Sequence, residues 1–182
     1  MNVLHDGSGA TSAPRGLVIG TVYDTDDPEG WGRVRVQYPW LSEQALSGWA
    51  PIVSPMAGPD YGTWFIPEVG NEAVLAFERG DVDYPFVLGF LWNGQDGAPS
   101  VSVRERMIRS VNGHTIRWLD STPTAGGNRG GIAIEDAHGN SIVLTNGKIT
   151  IRAAGTLVLD AATIALRSSG VTRVVSPTPN PV

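Results

Sequence analysis

The second half of the chain carries a glycine repeat with a spacing of eight residues, and this repeat limits the possible folds more than any other feature. The repeat consists of Gly131, Gly139, Gly147 and Gly155. Short stretches of alternating apolar and polar residues lie between these glycines, a pattern that predicts strands of about four or five residues joined by glycine-assisted turns. We therefore expect many short strands in this half of the chain.

A single short strand with one apolar face cannot bury that face without neighbours. A solenoid made by one chain usually needs rungs of about 20 residues, so eight-residue units are too short to enclose a core. Three chains are the smallest number that encloses a core between flat β faces. The sequence therefore predicts an intertwined trimeric β-helix or β-prism, with a core formed by Ile132, Ile134, Ile142, Leu144, Ile149, Ile151, Leu157, Leu159, Ile164 and Leu166.

The first half of the chain has the composition of a compact β domain. Five of the six tryptophans and all four phenylalanines precede residue 100, and large aromatic side chains fill compact cores. About six strand candidates separated by turn formers predict an OB-like Greek-key barrel in an all-β chain. These candidates are residues 17–23, 33–38, 49–53, 62–67, 72–78 and 85–91, and residues 41–46 are the one candidate helix.

Turn formers at residues 93–99 mark a boundary. We predict an N-terminal arm over residues 1–15, an OB-fold barrel over 16–95 and a linker over 96–110. A β-prism needle over residues 111–175 and a proline-rich tail over 176–182 would complete the chain.

Composition excludes several classes of function. The chain contains no cysteine, which excludes disulfides, thiolate metal sites and a cysteine nucleophile. Residues 1–99 hold 13 acidic and four basic residues, so nucleic-acid binding by the barrel is unexpected. No apolar run is long enough to span a membrane, and the N-terminus lacks the pattern of a signal peptide. We expect synthesis in the cytoplasm.

Single ionisable residues give weak signals of chemistry. His5, His114 and His138 are isolated in the sequence, and a metal site needs three or four converging ligands. The acidic residues at 24, 26, 27 and 29 lack the order of a calcium loop, so a solvated turn is expected. No pair of carboxylates has further support as a glycosidase pair. We predict no catalytic residue, metal or cofactor, and interpret Arg104, Arg106 and Arg109 as a salt-bridged surface or as a docking surface for acidic groups.

Several motifs occur in a fixed order along residues 16–170. They are residues 28–36 (PEGWGRVRV), 65–73 (FIPEVGNEA), 89–93 (GFLWN), 110–116 (SVNGHTI), 136–142 (DAHGNSI) and 147–151 (GKITI). Together they resemble the spike family of contractile injection machines, which includes phage baseplate spike proteins and the valine–glycine repeat protein G of type VI secretion. The barrel positions that carry the resemblance include Gly32, Arg33, Pro67, Glu68, Gly70, Gly80, Asp81 and Gly89.

The resemblance implies a homotrimeric structural spike, not an enzyme, assembled into the baseplate of a phage tail or a tail-like injection particle. The barrels would sit on a separate hub protein, and the needle would pierce the target membrane, with only transient contact, when the sheath contracts. A separate tip protein with proline–alanine–alanine–arginine (PAAR) repeats is implied, and effector cargo is a further possible partner. Val174, Val175, Pro177 and Pro179 are the candidate residues for docking that tip.

Two alternatives remain open at the level of the sequence. The first is a glycan- or nucleic-acid-binding OB module with an oligomerising β tail, which would bind a polymer through exposed aromatic residues such as Trp31 or Trp64. The second is a monomeric carbohydrate-acting β-solenoid enzyme, which would depend on a pair of carboxylates.

Overall fold

The computed structural model describes residues 16–122, 127–169 and 171–175 of the 182-residue chain. The described residues form strands, turns and one 3₁₀ turn at Glu78–Gly80, and no α-helix occurs among them. The predicted all-β class is therefore confirmed for this part of the chain. The chain divides into two compact units, Met1–Ala98 and Pro99–Val182, and each is described by itself.

The first unit contains a four-stranded antiparallel sheet with the strand order β2-β1-β5-β6. Its strands are β1 (Val18–Asp24), β2 (Arg35–Gln37), β5 (Glu72–Phe77) and β6 (Pro85–Leu91). A short hairpin of β3 (Ala57–Gly58) and β4 (Tyr61–Gly62) lies outside this sheet. Alternation along the strands directs one side of the sheet to the core, as in β1, where Val22 is buried and Tyr23 is exposed.

Residues 50–53 close this sheet into a small barrel. Ala50 exchanges two backbone hydrogen bonds with Val34, directly before β2 (3.0 and 2.7 Å), while Pro51 and Val53 bond to Val87 of β6 (3.0 and 2.8 Å). The same segment thereby joins the two edges of the sheet, which removes free edges. The enclosed core consists of Val22, Val34, Val36, Tyr38, Ala50, Ala73, Leu75 and Val87.

Three predicted elements of the first unit are wrong in detail. Residues 41–46 form turns and not a helix, because Tyr38 accepts the N–H of Leu41 and donates its own N–H to Ala45. Residues 49–53 and 62–67 make only isolated bridges or the two-residue strand β4. Pro51 and Pro67 each remove a backbone donor from these segments.

The second unit contains a five-stranded antiparallel meander with the strand order β11-β10-β9-β8-β7. The strands are β7 (Glu105–Arg109), β8 (Thr115–Leu119), β9 (Gly131–Glu135), β10 (Ser141–Thr145) and β11 (Lys148–Arg152). A separate two-stranded hairpin follows, made of β12 (Ile164–Ser168) and β13 (Val171–Val175). The sheet therefore begins inside the predicted linker over residues 96–110.

The predicted glycine turns lie in three different environments. Gly139 and Gly147 occupy turns with φ of +88° and +76°, a region that favours glycine. Gly155 lies in a bend after β11, whereas Gly131 is the first residue of β9 and not part of a turn. A Cβ atom on Gly131 would stand 2.4 Å from the carbonyl oxygen of Leu144 on β10, so this glycine permits the close approach of two strands.

The predicted strand over residues 157–159 is absent, since residues 153–163 contain no strand. The eight-residue repeat therefore describes the connections within the meander and does not extend as a strand repeat into this segment. In the described part of the chain, no helix is long and apolar enough to cross a membrane.

Candidate functional site

One face of the five-stranded sheet carries two continuous rows of large apolar side chains. The strand register pairs Ile108 with Ile116 and Ile142 with both Ile134 and Ile151, so these residues lie side by side across all five strands. Directly opposed side chains on neighbouring strands are about 5 Å apart and touch. We call this surface the apolar face and define it as Ile108, Ile116, Trp118, Ile132, Ile134, Ile142, Leu144, Ile149 and Ile151.

The apolar face is open to solvent in a single chain. Its nine side chains are between 37% (Leu144) and 67% (Ile149) exposed. A soluble monomer rarely exposes a contiguous apolar patch of this kind, and such patches mark surfaces that another molecule covers.

The opposite face, which we call the polar face, carries charged and hydroxyl side chains together with a few apolar ones such as Met107 and Val143, and it is held by an ion-pair network. Arg117 of β8 lies between Glu105 of β7 and Glu135 of β9, with its guanidinium nitrogens 3.3 Å and 2.7 Å from their carboxylates. The Ser100 hydroxyl donates to Glu105 at 2.7 Å, and this bond, together with Arg117, lowers the pKa of the Glu105 carboxyl. The two glutamates in turn raise the pKa of Arg117. The sheet therefore has one face suited to water and one suited to burial.

The predicted core residues of the needle lie in three places. Six of them belong to the apolar face: Ile132, Ile134, Ile142, Leu144, Ile149 and Ile151. Leu157 and Leu159 lie in the segment without strands and are more than half exposed, while Ile164 and Leu166 belong to β12. Their burial in a trimer stays a prediction.

Three residues of the apolar face were not predicted from the sequence: Ile108, Ile116 and Trp118. The glycine repeat begins only at Gly131, after β7 and β8, so it does not point to these two strands. The alternation of polar and apolar residues over positions 105–109 and 115–119 is the signal that would have found them.

In the first unit, Asp27 organises the loop that carries the motif of residues 28–36. Its carboxylate accepts the backbone N–H groups of Glu29, Trp31 and Arg33, at 3.0 to 3.2 Å. The Arg33 guanidinium donates two further bonds to it, at 3.0 and 2.7 Å. The Arg33 bonds, followed by these N–H groups, hold the pKa of Asp27 well below its usual range. The expected solvated turn is thus wrong for Asp27, whose side chain is only 3% exposed.

Trp31 and Trp64, the two aromatic residues singled out in the sequence, line one groove of the first unit. The Arg33 guanidinium lies 4.6 Å from the centre of the Trp31 ring. The Trp64 ring packs on Gly32, where a Cβ atom would come within 2.5 Å of it. Both residues are about two-thirds exposed, and binding of a glycan or a nucleic acid through them stays a prediction.

The remaining barrel positions of the motif set lie in turns and at a strand edge. Gly70 has φ of +97° and donates its N–H to the Val22 carbonyl, in a turn that follows Pro67 and is closed by the Asn71 N–H donating to the Glu68 carbonyl. Gly80 and Asp81 form the turn before β6, where the Asp81 carboxylate accepts the N–H of Asp83. Gly89 lies in β6 opposite Val74, beside a bulge.

Two of the three histidines, His114 and His138, lie close together in the second unit, and His5 lies outside the described residues. The His114 and His138 rings have centroids 6.1 Å apart, so these histidines are not isolated in space, but His114 Nδ1 accepts the N–H of Ala137. Within the part of the chain that the structure describes, no three His, Asp or Glu side chains converge as metal ligands would. Of the arginine cluster, Arg106 pairs with Asp120.

Two of the four candidate tip-docking residues lie within the described part of the chain. Val174 and Val175 belong to β13, where their backbones pair with Ala165 and Ile164. Pro177 and Pro179 lie outside the described residues.

Comparison with known proteins shows similarity to one family, the spike proteins of type VI secretion systems and phage baseplates. A sequence profile of the type VI secretion system/phage-baseplate injector OB domain matches residues 18–92. The type VI secretion system spike protein VgrG3 of Vibrio cholerae is 34% identical over 92 residues, 46% of this chain and 9% of that protein. VgrG5 and VgrG2a of Pseudomonas aeruginosa, also type VI spike proteins, are each 31% identical, over 71% and 52% of this chain and 16% and 12% of their own lengths.

The extent of the VgrG5 match matters for the second unit. It covers 71% of the 182 residues, which is more than the first unit, Met1–Ala98, contains. The similarity therefore reaches beyond the OB domain into the second unit. The chain nevertheless spans no more than about a sixth of the length of these relatives.

Proposed function

Because this chain belongs to the spike family of phage baseplates and type VI secretion systems, we propose that three copies of it form the central spike of a contractile injection particle. The single observation that carries the proposal is the apolar face, which one chain leaves uncovered. Three such faces turned toward a common axis would cover one another.

Threefold burial of the apolar face would contribute a large favourable term to the free energy of association. Each large apolar side chain contributes about 1.5–3 kcal/mol when it is buried completely. Nine such residues in each of three copies are partly exposed in the single chain, so their burial is worth on the order of tens of kcal/mol before the entropy cost of association. The polar face, with the Arg117 network, would then face water.

The second unit in this proposal is a needle, and the OB domain is the base that sits on a hub protein. A PAAR-type protein would cap the needle, effector cargo could travel with it, and the spike would cross the target membrane only transiently. The role is mechanical and involves no catalytic turnover. The particle would assemble from chains made in the cytoplasm, as a phage tail or a related injection system.

A charge inside the proposed core tests the trimer. We expect Ile149→Asp to abolish trimer formation, because three unpaired carboxylates would be buried around one axis. Thr150→Asp is the matched control, since Thr150 lies on the same strand and points to the polar face. Light scattering should give a mass near three times 19.3 kDa for the parent and the control, and a smaller species for Ile149→Asp.

A heat-stable trimer of the Ile149→Asp variant would contradict the proposed core. A parent protein that is a folded monomer at micromolar concentration would contradict the spike itself.

A further inference from the structure

The groove of the first unit that Trp31 and Trp64 line has a volume of about 770 Å³. We call it the aromatic groove and define it by Trp31, Met56, Asp60, Tyr61, Trp64 and Phe65. Each of its four aromatic residues is at least 60% exposed, so these side chains add little to the enclosed core. Exposed apolar clusters of this kind mark ligand-binding grooves and interaction sites.

Two rings of the aromatic groove lie directly against glycine backbone. A Cβ atom on Gly32 would collide with the Trp64 ring, and a Cβ atom on Gly58 would collide with the Tyr61 ring. Any other residue type at either glycine would therefore push the neighbouring ring away. Each ring is held at a defined place while most of its surface stays open to solvent.

The third ring, that of Trp31, is held by an ion pair. The Arg33 guanidinium lies 4.6 Å from the ring centre and is fixed in turn by Asp27 and Glu29, at 2.7 and 3.1 Å. A guanidinium over an indole is an attractive arrangement. The three rings thus have fixed positions before any ligand arrives, which lowers the entropy cost of stacking a ligand on them.

The aromatic groove lies where OB folds bind their ligands. Residues 25–34 connect β1 with β2, and Trp31 belongs to this connection. In other OB folds, the loop between the first two strands and the neighbouring sheet face bind oligonucleotides or oligosaccharides. The fold therefore leaves two classes of polymer as ligands for the groove.

Charge decides between these two classes. Residues 1–99 hold 13 acidic and four basic residues, and Asp60 is the one charged side chain lining the groove among the described residues. A polyanion needs arginine and lysine side chains to neutralise its phosphates, and this unit would repel it. An uncharged oligosaccharide carries no such cost.

The chemistry of sugar rings fits the remaining features of the groove. In β-1,4-linked sugars of the glucose type, the hydroxyl groups are equatorial and the C–H bonds axial, so each ring has apolar faces of weakly positive hydrogens. The face of an aromatic ring is negative and attracts them. Sugar hydroxyls can also donate to the exposed Asp60 carboxylate. A proline-rich peptide, the other usual ligand of aromatic grooves, lacks these donors because proline has no N–H.

We propose that the aromatic groove binds an uncharged β-1,4-linked oligosaccharide, with sugar rings stacked on Trp31, Tyr61 and Trp64 and hydroxyl groups donating to Asp60. This inference goes beyond the mechanical role proposed above, because it gives the OB domain a binding site of its own. The site lies within one first unit and does not depend on how many chains associate.

Calorimetric titration of the full-length protein with chitohexaose and with cellohexaose tests the site. We expect saturable binding of at least one of the two sugars at millimolar concentration. Trp64→Ala and Trp31→Ala should each weaken that binding about tenfold or more, as the loss of an aromatic stacking contact does. Trp92→Ala is the matched control, since Trp92 is 70% exposed and lies outside the groove, and it should bind like the parent.

Three results would overturn the inference: no saturable binding of either sugar, binding that Trp64→Ala leaves unchanged, or tighter binding of oligodeoxythymidine or a polyproline peptide than of the sugars. Melting temperatures show whether the variants fold, and Tyr61→Ala replaces Trp64→Ala if the latter unfolds. Light scattering on the same samples separates this inference from the proposed function. A trimer that binds no sugar contradicts the inference alone, and a monomer that binds sugar contradicts the spike alone.

Discussion

At the scale of single residues, Gly32 determines where the Trp64 ring lies. Its φ is +73°, and a Cβ atom would meet the far edge of the Trp64 ring at 2.5 Å. Gly30 has a similar φ, +67°, but no heavy atom within 4 Å of a Cβ position. The two glycines therefore separate backbone strain from steric displacement of the indole.

We predict that Gly32→Ala and Gly30→Ala each lose about 1–2 kcal/mol of unfolding free energy, the usual cost of a side chain in the left-handed region. Only Gly32→Ala should also displace the Trp64 indole, because the exposed ring can move into solvent. Urea unfolding measures the first effect, and the indole N–H resonance of Trp64, assigned with Trp64→Phe, reports the second. An unshifted Trp64 resonance in Gly32→Ala would disprove the contact.

Residue roles of this kind depend on the path of the backbone and were only partly predictable. The sequence offered four acidic residues between positions 24 and 29 and no means of ranking them. Asp27 differs from the others because the loop turns three N–H groups and the Arg33 side chain toward its carboxylate. Gly32 and Arg33 were identified from the order of the motifs alone. The structure of the loop explains why these residue types stand there: Arg33 binds Asp27, and Gly32 leaves room for the Trp64 ring.

At the scale of elements, Arg117 connects three strands of the second sheet through Glu105 and Glu135. We predict that Arg117→Gln lowers the melting temperature at pH 7, because two neighbouring carboxylates lose their shared cation. The loss should shrink as the pH falls below 4.5, the usual pKa of a glutamate. A carboxyl whose pKa is lowered by folding stabilises above its unfolded pKa and loses that effect as the pH falls through its folded value.

Arg109→Gln is the matched control for this element, since Arg109 is an exposed arginine of β7 outside the Arg117 network. Thermal melts of both variants between pH 3 and pH 8 provide the comparison. A difference between Arg117→Gln and the parent that stays constant over this range would show that the ion pairs contribute nothing.

Strands were predictable where the alternation of apolar and polar residues and the positions of turn-forming residues indicated the same boundaries. The strands over residues 132–134, 142–144 and 149–151 follow from both signals, and the turn at Asn146 and Gly147 separates two of them with positive φ at both residues. Adjacent glycines at 130 and 131 could not be ranked from sequence: Gly130 takes the positive φ of +88°, and Gly131 begins the strand. Residues 157–159 alternate like a strand but form no strand and pair with none among the described residues.

At the scale of the whole molecule, the two units bury their apolar residues in different ways. The eight core residues of the first unit enclose one another within residues 22–87. In the second unit, Ala133 is the one fully buried apolar residue among those described, and the large side chains lie on the apolar face. The sequence predicted this contrast, because short strands with one apolar side cannot enclose a core alone.

The two units should therefore respond differently to isolation. We predict that a fragment of residues 1–98 folds as a monomer with a melting temperature that is independent of concentration, since its core is complete. A fragment of residues 99–182 should fold only as an oligomer, and its melting temperature should rise with concentration, because association and folding are then one equilibrium. Sedimentation and circular dichroism over a hundredfold range of concentration measure both properties. If residues 99–182 gave a cooperatively folded monomer, the apolar face would be buried within one chain, and no trimeric needle would be needed to explain it.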